Sequence, residues 1–193
     1  NVEIKGVDDK EAQAVTGIPE NPRLSNFSWS PDEAKMAFTN TVDTGVEVWI
    51  LDIASAKANK VSDAKVNGNM GNPISWFKDG NSLLVNMLPA TRKELINTDE
   101  AVPTGPTISV STGSKAQNRT YQDLLTNPND AFNFEQLATS SLHKINLDGS
   151  DSEWLKADMY SDIDFSPDGN YVMVTTIGKP FSYLVPYYRF PET

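Results

Sequence analysis

Residues 27–38, Phe27-Ser-Trp-Ser-Pro-Asp-Glu-Ala-Lys-Met-Ala-Phe38, line up without gaps with two later stretches of the chain. These are Ser75-Trp-Phe-Lys-Asp-Gly-Asn-Ser-Leu-Leu-Val85 and Asp164-Phe-Ser-Pro-Asp-Gly-Asn-Tyr-Val-Met-Val174. Each copy places an aromatic residue (Trp29, Trp76, Phe165) three positions before an aspartate (Asp32, Asp79, Asp168) and then resumes an apolar run. The chemistry is that of a β-hairpin. Proline at the first turn position fixes φ, aspartate bonds the backbone just ahead, and glycine takes the left-handed site. Asp32, Asp79 and Asp168 are therefore read as structural turn formers. Glu33 stands where Gly80 and Gly169 stand, so the same turn would hold it in mild strain. In the second copy Lys78 replaces the proline.

Spacing sets the expected architecture. Asp32 to Asp79 is 47 residues, and Asp79 to Asp168 is 89, which is 42 more than one period. A period in the forties with four strands per unit is the signature of a propeller blade. In the first full unit, strands are expected at Leu24–Trp29, Ala34–Thr39, Val46–Ile53 and Asn59–Ser62. The third of these is apolar on both faces, as befits a strand sandwiched between neighbouring sheets. The second unit reads as Pro73–Trp76, Ser82–Leu88, Ser141–Leu147 and Glu153–Lys156, which places His143 where Trp49 stands in the first. A third unit begins at Asp162–Phe165, Tyr171–Thr176 and Tyr183–Tyr188, and Val2–Lys5 with Gln13–Thr16 read as the end of an earlier one.

The expected fold is therefore all-β: a partial β-propeller of four-stranded antiparallel blades, in the order half, two whole, half. Residues 1–18 end one blade, 19–62 and 63–157 form whole blades, and 158–193 start another. A closed propeller needs about four blades at the least, so this chain is expected not to complete one. Residues 89–139 are an insertion in the second whole blade; a degenerate extra blade is the competing reading. Tyr121–Leu125 and Asp130–Leu137 look helical, with Thr120 or Asn129 as caps, and Thr104–Ser114 looks like an extended loop.

Composition narrows the chemistry. The 193 residues carry 16 Lys+Arg against 26 Asp+Glu, a formal net charge of −10. An acidic chain of this kind lacks the basic face that nucleic acid or an anionic membrane surface requires. Its longest apolar runs fall short of the roughly 18 residues that span a bilayer. There is no cysteine, which removes disulfides, thiol nucleophiles and Cys-based zinc sites. With one histidine, His143, any self-contained Ser-His-Asp site would have to use it, and a His-rich metal site cannot be built. A partly buried strand histidine is the commoner role. One aspartate per separate hairpin cannot supply the roughly six to eight oxygens of a calcium site. No cofactor and no metal are expected. Trp29, Trp49 and Trp76 fall on expected strands at repeat positions and are read as blade core.

The Trp-Ser-Pro-Asp hairpins resemble the β-propeller of the prolyl oligopeptidase superfamily of serine peptidases. Val15-Thr-Gly-Ile-Pro-Glu-Asn-Pro-Arg-Leu-Ser-Asn-Phe-Ser-Trp-Ser-Pro-Asp32 is similar to a blade junction of the glutamyl endopeptidase-like branch of bacteria and chloroplasts. Asn118-Arg-Thr-Tyr-Gln-Asp-Leu-Leu125 with Asn133-Phe-Glu-Gln-Leu-Ala-Thr-Ser-Ser-Leu142 is similar to that branch's insertion. The resemblance covers nearly the whole chain. It implies a parent with an N-terminal propeller and a C-terminal α/β-hydrolase domain carrying a Gly-x-Ser-x-Gly elbow. No such elbow occurs here, so no catalytic residue is assigned to this chain.

The expected function is that of a non-catalytic propeller portion of a serine peptidase, gating and orienting peptide substrates for the separate hydrolase domain. A non-enzymatic propeller serving protein interaction is the alternative. The resemblance implies an exported protein if bacterial and a plastid protein if from a plant. The chain begins Asn1-Val-Glu-Ile-Lys5 without a leader pattern, and reads as a mature chain or a piece of a longer one. Arg92, Lys93 and Arg119 lie in the insertion of an otherwise acidic chain. Arg92 and Arg119 are candidate substrate-binding residues, since a bidentate guanidinium is the usual partner of a glutamyl carboxylate. A loop-stapling pair with Asp123 or Glu135 is the plainer role. Open blade edges at Val2–Lys5 and Tyr183–Tyr188 would invite self-association.

Overall fold

The structure is a computed structural model in which residues 2–97, 128–179, Gly113 and Leu125 are described. Thr104–Thr112, Ser114, Arg119, Thr120, Tyr121–Leu124 and Tyr183–Tyr188 lie outside the described residues. The chain divides into two units, one of residues 1–92 and 137–177, the other drawn from residues 93–136 and 178–193.

The three repeats fold as one turn. Glu33, Gly80 and Gly169 donate their backbone N–H to the carbonyls of Ser30, Phe77 and Ser166, and each sits in the left-handed region at φ 59°, 65° and 74°. Glu33 thus carries the strain that its place in the repeat implies. In the first and third copies a serine completes the turn. Ser30 Oγ and Ser166 Oγ donate to Asp32 and Asp168 Oδ1 at 2.6 and 2.5 Å and accept from Lys35 N and Tyr171 N. These bonds, with those from Asn170, hold the Asp168 carboxyl down at about 2. The second copy has Phe77 instead. Its ring packs edge-on to Phe165 at 5.2 Å and to Trp154 at 6.1 Å, with the Lys144 ammonium 4.8 Å from its centroid.

Around these turns the described residues form twelve strands and one helix. β1 (Glu3–Ile4) and β2 (Gln13–Ala14) form a pair. β3 (Leu24–Trp29), β4 (Lys35–Val42), β5 (Gly45–Asp52) and β6 (Lys57–Lys60) form an antiparallel meander. β7 (Ile74–Trp76) and β8 (Ser82–Met87) begin a second meander. It is completed, after α1 (Pro128–Ala138), by β9 (Ser140–Asn146) and β10 (Asp151–Asp158). β11 (Tyr160–Phe165) and β12 (Val172–Thr176) pair last. Among the described residues the protein is mostly β, with four antiparallel sheets and one helix.

Several elements start one or two residues earlier than expected, and for β6 and the helix the local cause is plain. β6 begins at Lys57 and not Asn59 because Asp52 accepts from Ser55 N and Oγ while Ala56 turns left-handed at φ 49°, releasing the chain into the strand at once. The helix starts at Pro128, so Asn129 lies inside its first turn and does not cap it; proline suits the first helical position, where its missing N–H costs nothing.

The sheets of the first unit stack face to face in chain order. Ile4, Val15 and Ile18 pack with Phe38, Leu51 and Ala58 on one face of the first meander. Its other face contributes Ala37, Val48 and Ile50 to a core shared with Ile74, Leu83, Val85 and Ile145 of the second. The far face of the second packs Leu84 and Leu142 against Tyr160, Ile163, Phe165 and Val174. Trp76 is buried in the shared core and its Nε1 donates to Ser28 O at 3.0 Å. Trp29, expected in the core, is 54% exposed, because the two-residue strands β1 and β2 are too short to cover it.

Segment 65–67 joins the two meanders. Val66 N donates to Val46 O, Asn67 N to Asn86 O, and Leu88 N to Lys65 O. Gly45 is required by this close approach: at φ 151°, a Cβ there would lie 2.2 Å from Ala64 O. Asn67 is fully buried and its Nδ2 donates to Leu137 O, Thr139 O and Ser140 Oγ at 2.9–3.0 Å, which fixes the entry to β9.

In the second unit, Asn133 brackets Ile96 by accepting from its N–H and donating to its carbonyl, both at 2.8 Å. Lys93 N donates to Gln136 Oε1. Glu135, expected as a stapling partner for the basic residues of the insertion, pairs with Lys179.

Candidate functional site

The hairpin joining β9 to β10 is set by Asp148-Gly149. Gly149 adopts φ 84°, its N–H bonds Asn146 O, and Asp148 Oδ1 accepts from Ser150 N at 2.9 Å and Oγ at 2.6 Å. That turn fixes the register: Asp151 lies opposite Ile145 and Glu153 opposite His143. Alternation along β9 puts Ser141, His143 and Ile145 on one face, and Asp151 lies diagonally adjacent to His143. The result is a continuous polar chain. Asp151 Oδ1 is 2.7 Å from His143 Nδ1, and His143 Nε2 is 3.1 Å from Ser141 Oγ.

A carboxylate only accepts, so Nδ1 carries the proton; in the neutral imidazole Nε2 is then the acceptor for the Ser141 hydroxyl. Ser141 is 4% exposed, the His143 side chain 21% and the Asp151 side chain 42%. Exposure thus grows outward along the chain, from hydroxyl to carboxylate.

All three line a cleft of about 780 Å³. Its apolar lining, Val61, Met87 and Ile145, is part of the core shared by the two meanders. Its charged lining is mixed: Lys60, Lys65 and Lys156, with Asp63 and Glu153 beside Asp151. No group of three or more His, Asp or Glu side chains able to hold a metal is found among the described residues. No helix among them is long and apolar enough to cross a membrane.

Arg92 lies one residue beyond Thr91, which lines the cleft, and is not itself part of the lining; its N–H closes a turn onto Pro89 O at 3.0 Å. Arg119 lies outside the described residues. Asp32, Asp79 and Asp168 remain in three separate turns, each bonded to its own hairpin. The structure therefore brings together a set that sequence reading leaves apart. His143 stands out as the single histidine, but Ser141 and Asp151 become its partners only through strand alternation and the Asp-Gly register. Both signals are present in the sequence, in Ser141-Leu-His143 and in Asp148-Gly-Ser-Asp151.

No family model matches the chain. Among known proteins it is 33% identical, over 187 residues and 92% of its length, to the probable chloroplastic glutamyl endopeptidase of Arabidopsis thaliana, of which it covers 19%. It is 34% identical over 190 residues, 93% of its length, to the protein of the same description from Oryza sativa subsp. japonica, of which it covers 20%. Among solved structures, TolB from Acinetobacter baumannii superposes on 89% of this chain and 42% of its own, at a TM-score of 0.36 and 13% identity. The Pyrococcus horikoshii acylaminoacyl peptidase does so on 71% and 26%, at 0.31 and 15%. Superpositions of that size carry no weight beside the sequence matches. By sequence, the chain is related to the plant glutamyl endopeptidases and spans about a fifth of their length.

Proposed function

We propose that this chain is the propeller portion of a longer serine peptidase of the prolyl oligopeptidase type. In this reading it gates and orients peptide substrates for a separate α/β-hydrolase domain. The observation that carries the reading is the match of more than nine-tenths of the chain to glutamyl endopeptidases that are about five times as long. The stacking of four antiparallel sheets in chain order supports it, since neighbouring propeller blades pack in that way. Residues 19–62 and 63–157 are then whole blades, the second interrupted by residues 89–139, and residues 1–18 and 158–193 belong to flanking blades. Phe27 and Trp29 at one end of the stack and Tyr171 and Met173 at the other are more than half exposed, as the faces of an unfinished series would be. Self-association through open edges is the alternative way to cover them.

In the same reading, Arg92 and Arg119 offer guanidinium groups to an acidic substrate side chain. The plastid is the compartment that the plant relatives' descriptions favour. The experiment compares this chain with the longest polypeptide that carries it, on peptides cut after glutamate. The reading expects hydrolysis by the longer protein alone, and cleavage of larger, folded substrates once residues 1–193 are deleted from it. Peptide hydrolysis by the chain itself, or an unchanged substrate range after the deletion, would overturn it.

A further inference from the structure

The Ser141–His143–Asp151 chain has no part in a gating role, and its geometry is that of an activated hydroxyl. We propose that Ser141 is a nucleophile toward activated acyl esters, with His143 as its general base and Asp151 as the group that orients the imidazole. Three observations carry the assignment. The two links, 3.1 and 2.7 Å, are both within hydrogen-bond reach and run in the required order, hydroxyl to Nε2 and Nδ1 to carboxylate. The three side chains line one cleft of about 780 Å³, room for a small acyl ester. The charged lining of the cleft is mixed, Lys60, Lys65 and Lys156 with Asp63 and Glu153, so ammonium groups stand in the same cleft as the hydroxyl, where negative charge would develop on the acyl oxygen.

The repeat supplies a fourth argument. In the first meander the equivalent positions hold Glu47 and Trp49, where the Trp49 Nε1–H donates to Glu47 Oε2 at 3.0 Å. An indole N–H only donates, so Trp49 offers no base there. The second meander departs from the first by placing a base and a hydroxyl at those two positions. Departures of this sort from a repeat's own chemistry are where function is expected.

The Ser141 Oγ lone pair forms a bond to the acyl carbon while its proton passes to His143 Nε2. The electron pair of the scissile bond leaves with the alcohol oxygen, which takes that proton. Water then bonds to the acyl carbon while giving one proton to Nε2. The bond from that carbon to Ser141 Oγ breaks, its electron pair stays on Oγ, which takes the proton from Nε2, and the carboxylic acid leaves. Peptide amides, with a far poorer leaving group, are not substrates in this proposal.

The test uses the longest polypeptide that carries this chain, treated with a fluorophosphonate reagent and separately with p-nitrophenyl acetate. Peptide mapping by mass spectrometry distinguishes an adduct on Ser141 from one on any other serine. The proposal expects a Ser141 adduct that is absent in Ser141→Ala, forms about a hundredfold more slowly in His143→Gln, and at least tenfold more slowly in Asp151→Asn. Circular dichroism and melting of each variant separate lost reactivity from lost folding. No Ser141 adduct in the folded protein, or a rate indifferent to His143→Gln, would overturn it. An adduct on a serine elsewhere bears only on the hydrolase domain of the preceding proposal, so the two readings fail separately.

Discussion

The first and second meanders present the same backbone position with opposite chemistry. Trp49 pairs with Phe38 and His143 with Val85, and Phe38 and Val85 each stand six residues after the turn aspartate. In the first, Glu47 is 8% exposed and accepts from Trp49 Nε1 at 3.0 Å, Lys60 Nζ at 3.2 Å and Asn40 Nδ2 at 3.5 Å. Burial pushes its carboxyl up, but these three donors and the Lys60 charge outweigh that and leave it below the ordinary value. Every group is committed, and the cluster ties β4, β5 and β6 together. In the second, the polar chain runs along a cleft from the buried Ser141 hydroxyl out to the half-exposed Asp151 carboxylate. The same fold site is a structural clasp in one copy and a reactive arrangement in the other: serine and histidine replace Glu47 and Trp49, and Asp151 is added from the neighbouring strand.

Stability measurements can break that contrast. Glu47→Ala leaves a lysine, an indole N–H and an amide without their acceptor and is expected to cost about 3 kcal/mol in denaturant unfolding. Ser141→Ala at the equivalent position should cost about 1 kcal/mol or less. Equal losses would mean that both clusters are clasps. Between these lies Asn67→Ala, at about 2 kcal/mol, since it strips the buried partner from Leu137 O, Thr139 O and Ser140 Oγ and loosens the entry to β9.

Acid sharpens the comparison further. The Glu47 carboxyl is lowered in the folded state, so its contribution is complete above the unfolded value near 4.5 and is lost as the pH falls through the lower folded value. Glu47→Gln should therefore flatten the loss of stability below about pH 4.5, measured as unfolding free energy against pH. The smallest effect concerns the turns: Glu33→Gly relieves a left-handed glutamate at φ 59° and should stabilise by about 1 kcal/mol.

The meanders differ also in how their middle strands are joined. β4 reaches β5 through residues 43–44, whereas β8 reaches β9 through residues 88–139. Closure entropy grows only with the logarithm of loop length, so this difference costs about 3 kcal/mol. The β8–β9 register nevertheless runs unbroken from Ser82↔Asn146 to Met87↔Ser141. Segment 65–67 offsets the closure cost by holding β8 at Asn86 and Leu88 and the return of the chain at Leu137–Ser140.

Much of this was legible in the chain. The turn residues at 30–35, 77–82 and 166–171 dictate hairpins through local chemistry, and the strand positions follow from them with shifts of one to three residues. The position of His143 equivalent to Trp49 follows from the same alignment. Less legible was anything that depends on which face meets what. Trp29 carries the signature of a core residue but lies half exposed, because burial depends on the length of strands far away in sequence. Phe77 breaks the serine pattern of its turn for a ring contact with Phe165, 88 positions later.

The sequence by itself determined the repeat, its turns, the four-strand order and the kinship with peptidases, since these rest on local conformational preference and residue pattern. Only the tertiary structure decided that the hairpin bearing Ser141, His143 and Asp151 forms one wall of a cleft whose other walls come from residues 60–65 and 87–91. The register within one hairpin is set by its turn, whereas the stacking of sheets is a long-range outcome of packing and decides what the hairpin's polar side chains face.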